Sequence, residues 1–251
     1  MVLYEYPFNE RVRTLLRLES LFESLFYFLR QESAHAHHVA TTVLFEILDV
    51  SARADLKSDL LQDLERYRQS LNALRDHPGI EVNTLNTMLG SISSASEQLA
   101  HQGKTGMALR QNEWLTSLRS RLSIPGGACE FDMPSFHAWK HLPASRRSQD
   151  LLSWARPLLP IYEGLSIVLK LLRESGRKVA VVAENGQYQK MLGGKAYQLL
   201  RVYLPDEAGL YPEASANKYM ISIRLYRQTE EWKPYVAAED MSFELALCTT
   251  I

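Results

Sequence analysis

Cysteine is almost absent. The 251 residues contain only Cys129 and Cys248, without CxxC spacing, so neither a disulfide framework nor a thiolate zinc site is implied, and both thiols are expected to be reduced. No stretch approaches the roughly 20 consecutive apolar residues that span a bilayer, and the opening residues lack a basic start followed by an apolar stretch and a small-residue cleavage site. The expectation is a cytoplasmic protein without membrane insertion. An excess of one charge is missing too: 28 Lys and Arg face 29 Asp and Glu, a formal net charge of −1, which gives no global basic field for nucleic acid. Phosphate loops are lacking, because neither Gly126-Gly127 nor Gly193-Gly194-Lys195 carries Walker spacing. No G-x-S-x-G elbow occurs either.

What is present is apolar content of 46%, enough for one large domain or two small ones with ordinary cores. Val2, Tyr4 and Tyr6 share one parity and predict a short strand ended by Pro7. Asn9 then caps a helix whose stripe runs through Val12, Leu15, Leu16, Phe22, Leu25, Phe26 and Leu29. Further helices are predicted over residues 33–49, 55–77, 82–101 and 107–122, the 55–77 helix stopping at Pro78-Gly79. Pro125 cannot continue a helix and Gly126-Gly127 frees the backbone, so the chain turns there. Helix returns at 134–139 and 148–175 and stops at Gly176. Beyond it the apolar period shortens from about 3.6 to 2. Residues 179–182, 197–204, 219–227 and 241–248 read as strands, with Asn185-Gly186, Gly193-Gly194 and the segment 205–212 as turns or loops. Parallel βαβ alternation is missing, so the pattern predicts an α+β fold: a mainly helical domain (8–118 and 148–176) and an antiparallel β-strand domain (1–7, 119–147 and 177–251).

Few residues invite chemistry. His35 and His38 share a helix face beside His37, but no further ligand set stands near, and ordinary helix packing accounts for them. Ser123 and His137 could serve as nucleophile and base, yet nothing marks an orienting acid. Cys129, among Ala128, Phe131 and Met133, reads as a small buried apolar thiol, and Trp139 and Trp154 as core. No catalytic residue, metal site or cofactor is expected. The cations are more informative. Between Lys104 and Arg147 stand seven basic residues (Lys104, Arg110, Arg119, Arg121, Lys140, Arg146, Arg147) against Glu113, Glu130 and Asp132. Alternation from Lys218 to Arg227 puts Ile221, Ile223 and Leu225 on one face and Lys218, Met220, Ser222, Arg224 and Tyr226 on the other. That second face suits an acidic or amphipathic peptide, and equally suits an ordinary solvated sheet surface.

The residues Tyr4-Glu5-Tyr6-Pro7-Phe8-Asn9-Glu10-Arg11-Val12-Arg13 through Glu19 resemble the opening of the ZapD family of bacterial cell-division proteins, which associate with FtsZ. A longer match is Arg121-Leu122-Ser123-Ile124-Pro125-Gly126-Gly127, Cys129, Phe131-Asp132, Pro134, His137, Trp139 and His141-Leu142-Pro143. Leu210-Tyr211-Pro212 followed by Lys218 and Arg224, and the closing Phe243-Glu244-Leu245-Ala246 before Cys248, extend it along the chain.

The resemblance implies a cytoplasmic homodimer at the mid-cell division site, with a helical and a β part. It also implies a non-enzymatic adaptor that binds the C-terminal tail of FtsZ and bundles FtsZ filaments to stabilise the division ring. Two tail sites per dimer would hold two filaments. The match places Arg53 and Arg224 at basic positions of the family pattern, with Lys218 beside Arg224. Met220 stands where a family cation can occur, and Lys140 replaces a usual leucine. Arg119, Arg121 and Arg227 are further candidates from charge and placement. Residues 8–30 are a candidate dimer surface. A second reading is a nucleic-acid-binding protein using the basic stretch from Lys104 to Arg147, although stacking aromatics and overall basicity are missing.

Overall fold

The computed structural model describes residues 1–52, 55–75, 77, 79–103, 105–206 and 209–250. The chain divides into Thr14–Val168 and a second unit made of Met1–Arg13 with Leu169–Ile251. The α+β expectation holds: helices fill the first unit, and antiparallel strands dominate the second.

In the helical unit each helix follows from its apolar stripe and its cap. Helix α1 (Glu10–Leu29) begins where the Asn9 side chain accepts the Val12 N–H at 2.8 Å, and Leu15, Leu18, Phe22 and Leu25 are buried along it. Helix α2 (Ala34–Ser51) is capped by Ser33, whose Oγ accepts from the Ala36 N–H at 3.0 Å. In α3 (Leu56–Ala73) Leu56, Leu60, Leu64 and Tyr67 are buried, and in α4 (Val82–His101) Leu85, Leu89, Ile92, Ala95 and Leu99. These intervals of three and four set one face of each helix inward. The stretch predicted as one helix over 107–122 is two, α5 (Met107–Gln111) and α6 (Glu113–Leu122). Asn112 breaks it by adopting extended backbone and capping the Leu115 N–H at 3.0 Å.

The stretch 119–147, expected to join the strand domain, does not. It contains α7 (Pro134–Lys140) and the start of α8 (Ala144–Ala155), and it falls inside the helical unit. The cause is local hydrogen bonding. Gly127 N–H bonds Ile124 O at 2.8 Å, Cys129 N–H bonds Gly126 O at 3.2 Å, and Met133 N–H bonds Cys129 O at 2.9 Å, so successive turns use the groups a strand ladder would need. Gly126 adopts a φ of 74°, and a Cβ on Gly127 would lie 2.4 Å from the Arg121 carbonyl oxygen, so both glycines are structurally required. A short 3₁₀ turn (Arg156–Leu158) then leads into α9 (Leu159–Glu174), whose Tyr162 ring lies 5.1 Å from Phe22 and 5.0 Å from Phe26.

The second unit is a sandwich of two antiparallel sheets. Strands β1 (Val2–Pro7), β4 (Leu199–Leu204), β8 (Met241–Cys248) and β2 (Val179–Ala183) form sheet A in the order β1-β4-β8-β2. Strands β3 (Gln187–Met191), β6 (Met220–Gln228) and β5 (Tyr211–Ala216) form sheet B, and β7 (Pro234–Val236) pairs with the end of β6. Between the sheets lie Leu200, Val202, Leu204, Phe243 and Leu245 from sheet A and Ile221, Ile223 and Leu225 from sheet B. These are alternate residues of each strand, as two-sided packing demands. On the opposite face of sheet A, Glu5 accepts from Arg173 Nη2 at 2.6 Å and from Arg201 Nε at 2.9 Å. One carboxylate thus serves two half-buried guanidiniums and ties β1 to β4 and the last turn of α9.

Candidate functional site

Sheet B presents the surface anticipated from alternation. Residues directly opposite in an antiparallel ladder point to the same side, so the register fixes its rows. Arg224 lies between Gln187 and Glu213, Tyr226 lies between Tyr211 and Val236, and Met220 is opposite Met191. Arg224 is exposed and, among the described residues, makes no ion pair. Beside it the Tyr211 and Tyr226 rings stack at 5.8 Å with an interplanar angle of 21°. Met191 is 70% exposed. The result is one exposed guanidinium, with the Glu213 carboxylate directly across the ladder, on a platform of stacked aromatics, small polar groups and thioethers.

Lys218 is placed differently from the expectation. Strand β6 begins at Met220, and Lys218 sits in the turn before it, so strand alternation does not reach it. Asn217 causes this by accepting the N–H groups of Tyr219 and Met220 at 2.8 and 3.0 Å through its side chain. The Lys218 ammonium rests 5.0 Å from the centre of the Tyr219 ring. Arg227, one residue out of phase with Arg224, is engaged: its Nε and Nη2 donate to Glu239 Oε1 at 3.0 and 2.5 Å. Those bonds hold the Glu239 carboxyl below its ordinary range.

The other candidates lie in the helical unit. Arg119 bonds and pairs with Asp49, and Arg121 faces Asp132 at 3.8 Å. Arg119 borders a groove of about 470 Å³ with Thr42, Glu46, Asp49, Ser120 and Ser123. Arg121 borders a shallower depression with Arg110, Glu113, Thr116, Ser117 and Ile124. Arg53, first choice together with Arg224, lies outside the described residues. So do Lys104 and the predicted helix stop at Pro78. Within the sheet unit the structure therefore brings Arg224 to an open face, while Arg119 and Arg121 occupy a separate unit and already have acidic neighbours.

The cations of the basic stretch are engaged locally. Arg146 Nε lies 3.2 Å from Asp150, Lys140 rests 5.4 Å from the centre of the Phe136 ring, and Arg110 Nη2 donates to the Leu48 carbonyl at 3.4 Å. Arg147 is only 5% exposed. Its Nε donates to His37 Nδ1 at 3.0 Å, its Nη1 to the carbonyls of Lys140 (3.1 Å) and Leu142, and its Nη2 to the Glu32 carbonyl at 2.6 Å. Among the described residues this buried cation is thus held by backbone oxygens and one imidazole, with no carboxylate. Burial first, then the Arg147 charge, lowers the His37 pKa, against hydrogen bonds to the Leu29 and Gln31 backbone. Sequence reasoning missed this pair, although Arg147, Leu151 and Ala155 recur at the four-residue interval of an inward helix face and all three are buried.

The residues considered for chemistry have other partners. Ser123 Oγ donates to the Ser120 carbonyl at 2.8 Å, while His137 lies 3.8 Å from Glu130 and its ring is 4.5 Å from that of His141. His37 is buried, His35 is exposed, and His38 packs edge-on to Phe136 at 5.3 Å. Among the described residues no group of three or more His, Cys, Asp or Glu could hold a metal ion. Trp139 is buried and Trp154 half-buried, their rings 5.6 Å apart. Cys129 corrects the apolar expectation: it is half-buried, its thiol donates to Asp132 at 3.2 Å, and neighbouring Phe131 is 79% exposed.

The described residues therefore present open polar faces and shallow grooves. That is a geometry suited to holding an extended partner. The ZapD family pattern, described as a cell division protein, matches residues 16–224. The cell division protein ZapD of Bordetella pertussis (strain Tohama I) is 54% identical over 250 residues, covering 100% of this chain and 99% of that protein. The protein of the same name from Bordetella petrii is 52% identical over 250 residues, covering 100% of both. This chain belongs to the ZapD family and has a role in cell division. The family is not a known enzyme class, and among the described residues no helix is long and apolar enough to cross a membrane.

Proposed function

We propose that this protein is a cytoplasmic, homodimeric adaptor at the mid-cell division site, which binds the C-terminal tail of FtsZ and bundles FtsZ filaments to stabilise the division ring. The observation that carries this reading is membership of the ZapD family along the whole chain. Arg224 is the proposed anchor for an acidic group of the tail, with the Tyr211–Tyr226 stack and Met220 covering apolar side chains. Arg53 is proposed as a second contact, and Lys218, Arg119, Arg121 and Arg227 as weaker ones, since each of those four already makes an ion pair or rests on an aromatic ring. A disordered tail loses chain entropy on binding, which keeps one site modest in affinity. Two sites in one dimer compensate through effective concentration.

The nucleic-acid alternative loses its main support, because six of the seven cations it relied on are described and each is paired, buried or bonded within the chain. Catalysis forms no part of the proposal. The test is co-sedimentation with FtsZ and GTP, using full-length FtsZ and FtsZ lacking its C-terminal tail. Bundles that pellet only with the tail present support the adaptor reading. FtsZ that polymerises normally without tail-dependent bundling contradicts it.

A further inference from the structure

The stretches Tyr4-Glu5-Tyr6-Pro7 and Leu210-Tyr211-Pro212, 206 residues apart, meet inside the sandwich. Tyr4 and Tyr6 lie opposite Val202 and Leu200 in the β1–β4 ladder, so their rings point the same way as those two core residues, into the layer between the sheets. From there the Tyr4 hydroxyl donates to the Leu210 carbonyl at 3.4 Å, and the Tyr6 hydroxyl donates to the Pro212 carbonyl. Among the described residues β5 is an edge of sheet B and pairs only with β6. Across that ladder Pro212 faces Leu225, whose N–H bonds the Gly186 carbonyl at 2.8 Å and whose own carbonyl accepts from Ala237 at 2.9 Å, both on the other side of β6. Pro212, with no N–H of its own, therefore takes no ladder bond there. The carbonyl of this buried residue is met from β1 instead.

We infer that Tyr4 and Tyr6 are positioning residues for the open face of sheet B, setting Tyr211 and Glu213 beside Arg224 by holding the backbone on either side of Tyr211. The two clamped carbonyls flank that residue. Leu210 and Pro212 are buried, while Tyr211 and Glu213 alternate with them and share the outer face with Tyr226 and Arg224. Tyr211 stacks on Tyr226, and Glu213 lies directly across from Arg224. Holding β5 at residues 210 and 212 therefore places both neighbours of the arginine at once. An edge released from β1 would let the Tyr211 ring leave Tyr226 and carry the Glu213 carboxylate to a new distance from the guanidinium. Burial first, then Tyr4 and Glu213, push the Tyr6 hydroxyl up to about 12, so it stays a donor throughout the neutral range. A platform ordered before its partner arrives loses less entropy on binding. The inference rests on the reading of sheet B as the tail-binding face and names what holds that face in shape.

Anisotropy of a labelled FtsZ tail peptide with the full chain tests this, with circular dichroism to confirm that each variant is folded. Tyr6→Phe, which removes the hydroxyl and keeps the ring, should weaken peptide binding about fivefold, the contribution of one hydrogen bond. Tyr4→Phe should weaken it less, because its bond is longer. In a Tyr211→Ala background the loss caused by Tyr6→Phe should disappear, since the ring it positions is gone. Asn112→Ala loosens the helical unit and should leave peptide affinity unchanged. A comparable loss in Asn112→Ala would trace the effect to general stability and overturn positioning. Unchanged affinity in Tyr6→Phe and in Tyr4→Phe with Tyr6→Phe, while Arg224→Glu lowers it, would overturn the clamp and leave the sheet B reading intact. If the double variant does not fold, Tyr6→Phe alone decides. An equal loss with and without Tyr211 would also overturn the clamp. Wild-type affinity in both Arg224→Glu and Tyr211→Ala would overturn the sheet B reading and the clamp with it.

Discussion

The two units tie up most of their arginines in the same way and differ at one of them. In the helical unit Arg119, Arg121 and Arg146 have acidic neighbours and Arg147 is buried against carbonyls, so these cations serve the fold. In the sheet unit Arg201 and Arg173 share Glu5, Arg227 holds Glu239, and Arg224 is left exposed without an ion pair among the described residues. Counting cations along the sequence therefore misleads. The cations of the densest basic stretch have contacts within the fold, whereas Arg224, on an alternating strand, makes no ion pair among the described residues.

The largest effect expected from this contrast is on stability. Arg147→Ala leaves the Glu32, Lys140 and Leu142 carbonyls and His37 Nδ1 without their donor, and should cost on the order of 3 kcal/mol. Urea unfolding measures it, with Arg224→Ala staying within about 0.5 kcal/mol of wild type because nothing in the fold depends on that side chain.

A smaller effect follows from acid. The folded-state pKa of His37 is depressed below its ordinary value of 6.5, so the unfolded chain binds more protons as pH falls. The contribution is complete above that value and is lost progressively below it. Thermal unfolding at pH 7 and pH 5 should show a drop in Tm that is reduced in His37→Gln, which keeps an acceptor for Arg147. An equal drop in both proteins would remove His37 from the account. The smallest effects concern the helix surface. Asn112→Ala should cost about 1 kcal/mol through the lost α6 cap, and Arg119→Ala less than that, since both members of its ion pair are exposed.

Much of the architecture could be read from periodicity. Helix α4 spans the residues expected of it, and β6 alternates as anticipated, because in each case a single apolar face dominates. Strands β3, β5 and β7 were passed over for physical reasons. Strand β3 (Gln-Tyr-Gln-Lys-Met) is mostly polar, β5 contains Pro212, and β7 is three residues long. Each gains its place by pairing with β6, a nonlocal contact that no window of sequence displays. The Pro-Gly-Gly stretch misled in the other direction. Its glycines signal a change of direction, but whether turns or strands follow depends on which carbonyls the local N–H groups reach. For the candidate site, alternation placed Arg224 on the exposed face of β6, where the structure has it. It could not foresee that Asn217 would pull Lys218 out of the strand, or that Asp49, distant in sequence, would meet Arg119.

The most direct measurement is the binding of a fluorescent FtsZ C-terminal tail peptide by anisotropy to the wild type, Arg224→Glu and Arg119→Glu, each shown to be folded. The unequal use of charge predicts a loss of about tenfold or more for Arg224→Glu and a change of less than about threefold for Arg119→Glu. Wild-type affinity in Arg224→Glu, or a larger loss in Arg119→Glu, would contradict the assignment of the tail to the open face of sheet B.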